Sequence, residues 1–487
     1  MRKDIRKGSV ISAMGVLLVN PPSLSGLEGR GLGGKMSYFE YELSFTDEHW
    51  YKSYPGEHLG LMALVAVLRG AGIPVRSVNG QTECHRFVDQ TWQAMLAAGR
   101  EIDVDLIGFS GPCQVFEENA DLARRARRQW PHAKIVLGHQ FATLNYHRIL
   151  SDYPEFDIIA IGEGEATIVP VAAATGAESL AAIPGIAWRD DGGKVRMQPP
   201  PVEPLDLDTL PPIARDELPD VMRIGVSPTV YTTRGCPYRC SYCTTGQTAG
   251  LLHKKLGYRE RSVDLVVDEI EQLIADYRIP HLTIVDDLFV AKTPESYERA
   301  VRFARTLRER KVNIPFMLDC RLDSADADVF RELAEAGLYR VFIGIETGSG
   351  EQLTFYNKRY GERYDVEYVR RRVGGLQELG IEVIPGILTY HPATTAEELR
   401  ETLNVIDACG YESSWQFLCE VFAHPGTTLW KQYQRAGWLA EEWPVPAWEL
   451  RDPRARQVRD AVLEALDAGG GHVEARAAFA AALAAHD

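Results

Sequence analysis

The sequence predicts an α/β chain with two successive parallel-sheet domains: a doubly wound, Rossmann-like sheet, then a partial (β/α)6 TIM barrel, followed by a small helical tail. Three observations carry this expectation. Five short apolar runs alternate with helical spacing over residues 1–175, six further strand-then-helix repeats fill residues 226–440, and a proline-rich stretch separates them. Residues 176–225 are read as a hairpin and linker, and residues 441–487 as a helical extension.

Residues 16–20 (VLLVN) form an apolar run ended by Pro21 and Pro22, the pattern of a buried parallel strand and its exit loop. The connection over residues 23–54 is rich in glycine and then in aromatics. A loop of that length is functional or disordered, and its aromatic content favours function. Apolar residues recur at helical spacing over 59–68, Gly70 and Gly72 end that helix, and residues 75–78 make the second strand. Strand 106–110, helix 119–129, strand 135–137, a short helix at 146–150 and strand 158–161 continue the alternation. Ligands of such sheets bind beyond the carboxyl ends of the strands, an edge lined here by Asn20, Ser110, Gly138 and Gly162. Residues 183–202 read as a hairpin around Asp190-Asp191-Gly192-Gly193. Pro199, Pro200, Pro201, Pro204, Pro211 and Pro212 make a stiff, extended tether.

In the second domain strands are expected at 229–233, 282–286, 314–319, 340–346, 381–389 and 415–422, with helices such as 262–277, 294–310 and 327–337 between them. A barrel of this type places its chemistry at the carboxyl ends of the strands. Asp286 and Asp287, Arg321 and Glu346 fall at that edge. The carboxylates can accept hydrogen bonds from hydroxyl or ammonium groups, and the guanidinium can clamp a carboxylate. An ion-pair network tying the strand ends together is the structural alternative. Tyr390 and His391 end the fifth strand, facing substrate or packing there. Residues 454–467 and 473–486 are helix candidates separated by three glycines; they cap the barrel or pack on its outside.

The most informative stretch is residues 232–245, TTRGCPYRCSYCTT. It sets Cys236, Cys240 and Cys243 in a C-x3-C-x2-C run on the loop after the first barrel strand. Three thiolates there can hold three irons of a 4Fe–4S cluster and leave the fourth iron open for chemistry. Structural zinc takes four ligands, and the nearest other cysteine is Cys320. A disulfide framework suits a small secreted chain. Zinc or plain buried thiols are the alternatives to the cluster.

The cysteine run, with Tyr242 before its last member, resembles the signature of the radical S-adenosylmethionine (SAM) superfamily. The resemblance implies that the open iron chelates the amino and carboxylate groups of SAM, and that Tyr242 packs near the adenine; Tyr242 serves equally as a loop-packing residue. It also implies that Asp286, Arg321 and Glu346 are SAM contacts. The segments IVDDLF, LDCRLD, GIETGS and HPGTTLW extend the similarity over residues 225–440. Residues 15–175 resemble the cobalamin-binding domain that precedes the barrel in one large class of these enzymes, through VNPP, PGEHLGLMALVAVLRGAGIPV, DLIGFSG, IVLGHQFAT and IGEGEA. That resemblance makes Asn20, Ser110, Gly138 and Gly162 cobalamin contacts, the glycines letting backbone approach the corrin closely or serving as turn residues. A cobalt-ligating D-x-H-x-x-G pattern is present only as Asp47 to Lys52, so His49 is read as a surface or packing histidine before a ligand. Gly138-His139 stands where the family usually has two glycines.

The 487 residues, 45% hydrophobic and 25% charged, leave room for two or three cores. No apolar run approaches the roughly 20 residues of a membrane span, and the basic start leads into no signal-peptide core, so a cytoplasmic protein is expected. A net charge of −15 argues against a broad nucleic-acid surface. The basic run at residues 124–128 reads as the solvated face of a helix. Eight cysteines, three of them assigned to one cluster, fit a reducing compartment. The expectation from resemblance is a cobalamin-dependent radical SAM methyltransferase acting on an unactivated carbon of a small-molecule or peptide substrate. It would be fed by an electron donor such as flavodoxin or ferredoxin. A cyclase, epimerase or other rearrangement enzyme with the same two domains is the alternative, since fold does not fix function. A cobalamin- or redox-sensing module is the non-enzyme alternative. Methylthiotransferases are disfavoured because only Cys84 and Cys113 precede the motif.

Overall fold

The computed structural model describes residues 14–22, 57–81, 87–201, 203–223, 225–252, 258–360 and 364–485. The loop at 23–54, with His49, and Cys84 lie outside the described residues. The chain divides into two compact units: residues 1–228 with 250–254, and residues 229–249 with 255–487.

In the first unit, β1 (Gly15–Asn20), β2 (Val75–Asn79), β3 (Val104–Phe109), β4 (Lys134–Leu137) and β5 (Ile158–Ala160) form a parallel sheet in the order β2-β1-β3-β4-β5. Val16, Leu17, Leu18 and Val19 are all fully buried, which is why β1 reads as an unbroken apolar run: helices cover both faces. The helix Leu59–Gly70 buries Leu61, Met62, Val65 and Leu68 and ends at a turn in which Gly72 has φ +74°. A further helix, Val88–Ala98, lies between β2 and β3, where the sequence reading had none. Helix Phe116–Gln129 begins ahead of its expected start. Its basic face is ion-paired, Arg125 with Asp89 and Asp121, Arg127 with Asp157, and Arg124 with Glu155.

The expected hairpin is present as β6 (Ile186–Arg189) and β7 (Val195–Gln198), but it does more than link. β6 pairs antiparallel with β5, so the sheet has seven strands. The pairing covers an edge that β5 would otherwise leave open and buries Ile186 and Ala187 completely. The proline-rich segment is also fastened rather than free. Arg215 pairs with Glu57 at 2.8 Å, Arg69 with Asp216 at 2.6 Å, and Glu217 accepts from His58 N and Asn79 Nδ2 at 3.2 and 2.8 Å.

The second unit carries a five-stranded parallel sheet of β8 (Thr229–Val230), β11 (Leu282–Ile284), β12 (Phe316–Arg321), β13 (Leu338–Glu346) and β14 (Glu382–Ile387), in that spatial order. A small antiparallel ribbon pairs β9 (Thr233–Arg234) with β10 (Arg259–Glu260). Helices Val263–Tyr277, Pro294–Glu309, Ala327–Glu335, Val366–Gln377 and Ala396–Cys409 fill the connections. The sixth strand expected at 415–422 is reduced to a 3-10 turn, Ser414–Phe417, and one parallel bridge between Tyr390 and Glu420. Two backbone bonds hold that bridge, Tyr390 N to Cys419 O at 3.0 Å and Val421 N to Tyr390 O at 2.8 Å. Phe417 of that turn packs on His472 and Phe479 of the last helix, His472–Ala484. That helix and Pro453–Asp467 pack on the outside of the barrel, where Arg476 pairs with Asp407 and Arg400 reaches Leu483 O. Among the described residues no helix is long and apolar enough to cross a membrane.

Candidate active site

Cys236, Cys240 and Cys243 lie on the loop between β9 and helix Thr244–Leu252. Asp287 closes that loop at both ends, accepting from Gly235 N at 3.3 Å and from Thr245 Oγ1 at 2.7 Å. Ser241 fixes the middle: its N–H donates to Tyr356 O at 2.7 Å and its carbonyl accepts from Leu429 N at 2.8 Å. Asn357 Nδ2 donates to Arg239 O at 2.8 Å. Gly246 is required where the helix begins, because a Cβ there would stand 2.5 Å from Tyr238 O. The loop is thus positioned by bonds to its backbone, leaving the sulfurs free of that task.

None of the three is in a disulfide; Cys240 is buried and the other two half-buried. Burial pushes Cys236 up to about 12, with the other two thiols and Asp287 adding to it, and raises Cys243 in the same way. Such thiols stay protonated until cations take the protons' place. Arg321 supplies one fixed positive charge, its Nη1 lying 4.0 Å from Cys240 Sγ. Among the described residues no three His, Cys, Asp or Glu side chains converge on a single metal ion. A 4Fe–4S cluster needs no such convergence, since each thiolate takes its own iron. The three-sulfur loop fits that cluster.

The other barrel residues singled out from sequence share this edge with different geometries. Asp286 is buried and turned toward the backbone, accepting from Thr232 N at 2.6 Å, Thr233 N at 2.8 Å and Thr232 Oγ1 at 2.5 Å. Burial raises it to about 6 against the pull of those bonds. It therefore holds the strand end that leads into the cysteine loop. Arg321 is likewise engaged: Nε meets Asp323 Oδ1 at 3.0 Å, Nη2 meets Arg359 O at 3.1 Å, and the guanidinium lies 3.7 Å over the Tyr238 ring. Glu346 ends β13 with φ +76°, its carboxylate buried and bonded to Lys358 Nζ at 2.5 Å. Lys358 also donates to Gly344 O at 2.6 Å. A Cβ on Gly344 would lie 2.6 Å from Glu346 Oε1 and 2.8 Å from Lys358 Nζ, so glycine there makes room for the pair. Tyr242 stands edge-on to Tyr356 at 5.4 Å and lies within electrostatic reach of Glu346, Cys240 and Cys243. His391 stacks on Phe355 at 5.2 Å, a packing role, and burial lowers it to about 4.

Sequence reading missed Lys358, Tyr356 and Tyr360, which reach the edge from the segment after β13. No periodicity marks them, because that segment is short helix and loop.

In the first unit the strand order reverses between β1 and β3, where Asn20 and Ser110 flank the switch point. Asn20 is tied to the next strand through Asn79 Oδ1 at 3.0 Å, and Ser110 N donates to Val19 O at 3.2 Å. At Gly138 a Cβ would meet only Phe109 O, at 3.8 Å, among the described residues. Gly162 has φ +84° and donates to Thr143 Oγ1 at 3.0 Å. A bare backbone edge of this kind fits the close approach of a flat macrocycle.

Residues 230–406 match the Radical SAM superfamily, and residues 53–172 match the B12 binding domain. The chain is a B12-binding radical SAM enzyme, and its cofactors are accordingly a 4Fe–4S cluster, SAM and cobalamin. It is 25% identical over 383 residues to the uncharacterized methyltransferase PH0819 of Pyrococcus horikoshii, covering 77% of this chain and 78% of that one. It is 26% identical over 309 residues to the anaerobic magnesium-protoporphyrin IX monomethyl ester cyclase of Rubrivivax gelatinosus, covering 61% of this chain and 53% of that one. In fold it is similar to the cobalamin-dependent SAM radical enzyme OxsB, solved with aqua-cobalamin and SAM bound. The TM-score is 0.72 at 18% identity, over 94% of this chain and 67% of that one.

Proposed function

We propose that this enzyme transfers a methyl group to an unactivated carbon of a small molecule or peptide. The observation that carries the reading is the extent of the match to the Pyrococcus methyltransferase, which takes in more than three quarters of both chains, whereas the cyclase is matched over about half its length. When bound, cobalamin supplies a transferable methyl group, and SAM on the cluster supplies the radical that opens a C–H bond. The chain's share is positioning and exclusion of water. Cys236, Cys240 and Cys243 hold three irons, and Asp287 and Ser241 fix their loop. Arg321 sets a positive charge beside Cys240. Glu346, held by Lys358, offers a carboxylate to SAM, and Tyr242 offers a ring edge to its adenine. Asn20, Ser110, Gly138 and Gly162 form the edge that receives the corrin. A flavodoxin- or ferredoxin-like donor provides the electron.

Stoichiometry tests this. Methyl transfer consumes SAM twice, so each product should accompany one S-adenosylhomocysteine and one 5′-deoxyadenosine. With methyl-deuterated SAM the product should carry the label. Substrate-dependent 5′-deoxyadenosine with an unlabelled, mass-neutral or dehydrogenated product would reject methyl transfer in favour of rearrangement.

A further inference from the structure

Asp319 lies within β12, two residues before Arg321, whose Nη1 lies 4.0 Å from Cys240 Sγ. Leu318 and Cys320 are buried while Asp319 is half-buried, and on β13 Val341 and Ile343 are buried while Phe342 and Gly344 are half-buried. Successive side chains of a strand point to opposite faces, so Asp319 shares the face of Arg321, the one turned toward the cysteine loop. Asp319 is in register with Phe342, and Arg321 with Gly344, on that same face. The Phe342 ring lies against Gly386 of β14, where a Cβ would stand 2.5 Å from it. A carboxylate and an aromatic ring thus sit side by side on that face, two residues before the arginine that reaches Cys240.

Among the described residues the Asp319 carboxylate is incompletely satisfied. Its Oδ1 is buried without a hydrogen-bond partner. The charged groups that act on it are Asp286 and Asp287, both acidic, and with burial they push it up to about 8. Among the described basic groups at this edge, Arg321 is paired with Asp323 and Lys358 with Glu346, while Arg299 acts on Asp286 and donates to Arg261 O and Thr232 O. A buried polar group left in this state calls for an explanation, and a ligand that completes it is the direct one.

We propose that Asp319 is a substrate-binding residue whose partner is a protonated amino group of the substrate, with an apolar or aromatic portion of the same molecule against Phe342. An anionic group is disfavoured there, since Asp319 already lies within electrostatic reach of Asp286 and Asp287. The amino group of SAM itself is expected, by the resemblance, on the open iron as an unprotonated ligand. This inference rests on the radical SAM reading and narrows its substrate class to amines.

The test uses the reconstituted holoenzyme with SAM, a reductant and a small-metabolite extract separated on cation- and anion-exchange resins. Formation of 5′-deoxyadenosine is read in each fraction, and the resin-free background reports whether the radical SAM reading itself stands. Stimulation is expected from the cation-exchange fraction, is expected to disappear after N-acetylation of that fraction, and should fall at least tenfold in D319N. SAM affinity of D319N is measured by equilibrium dialysis. Absence of stimulation from the cation-exchange fraction, or an undiminished response in D319N, overturns the proposal. A loss of SAM affinity in D319N as large as the loss of stimulation also overturns it, by assigning the carboxylate to SAM.

Discussion

At the scale of single residues, Glu346 is the least ordinary position in the candidate site. A non-glycine residue at φ +76° is strained, and such strain persists only where surrounding bonds fix it. Here the backbone carbonyl accepts from Leu388 N at 2.5 Å and the carboxylate is clamped by Lys358. Removing one partner of a buried pair leaves an uncompensated charge, at a cost of about 3–5 kcal/mol. Lys358→Met should therefore lower the unfolding free energy of this unit by that order. It should also weaken SAM binding about tenfold or more, because the carboxylate loses its fixed direction. Lys358→Arg should not rescue either property, since the space kept open by Gly344 suits one ammonium and not a planar fork. Denaturant titration and equilibrium dialysis measure the two effects. Unchanged SAM affinity in Lys358→Met would remove Glu346 from the cofactor site.

At the scale of elements, Glu217 joins the linker to the end of β2 and to the helix Leu59–Gly70. Its Oε2 takes both hydrogen bonds while Oε1 is buried with no partner, and burial raises it to about 7. A carboxyl raised in the folded state binds more protons folded than unfolded, so its stabilising share is full below about pH 4.5 and is lost as pH climbs through 7. The first unit should lose on the order of 2–3 kcal/mol between pH 5 and 8 from this group. Glu217→Gln should flatten that slope in urea titrations at the two pH values; an unchanged slope would show that Glu217 is not its source. What the sequence disclosed at this scale follows the same logic of burial and period. β1 was legible because two-sided burial leaves an unbroken apolar run, and the cysteine loop because ligand spacing is local. The joining of β6 to β5, the anchoring by Glu217 and the collapse of the sixth strand were not legible. Each depends on partners distant in sequence, as do the Lys358 clamp and the setting of Asp319.

At the scale of the whole molecule, the two proposed cofactor sites belong to different compact units, the proposed corrin edge to the first and the cysteine loop to the second. The bonds that shape each site are made within its own unit: Asn20 to Asn79 and Gly162 to Thr143 on one side, Asp287 to Gly235 and Thr245 on the other. Loading one cofactor should therefore not require the other. In the triple variant with Cys236, Cys240 and Cys243 replaced by alanine, iron and sulfide should fall to background while close to one cobalamin per chain survives gel filtration with its visible spectrum intact. The same variant should form neither 5′-deoxyadenosine nor product, since the radical step needs the cluster. Retention of a full cluster would sink the assignment of the three ligands. Joint loss of cobalamin with a native unfolding profile would show that the corrin edge takes its order from the cluster unit, contrary to the bonding just described.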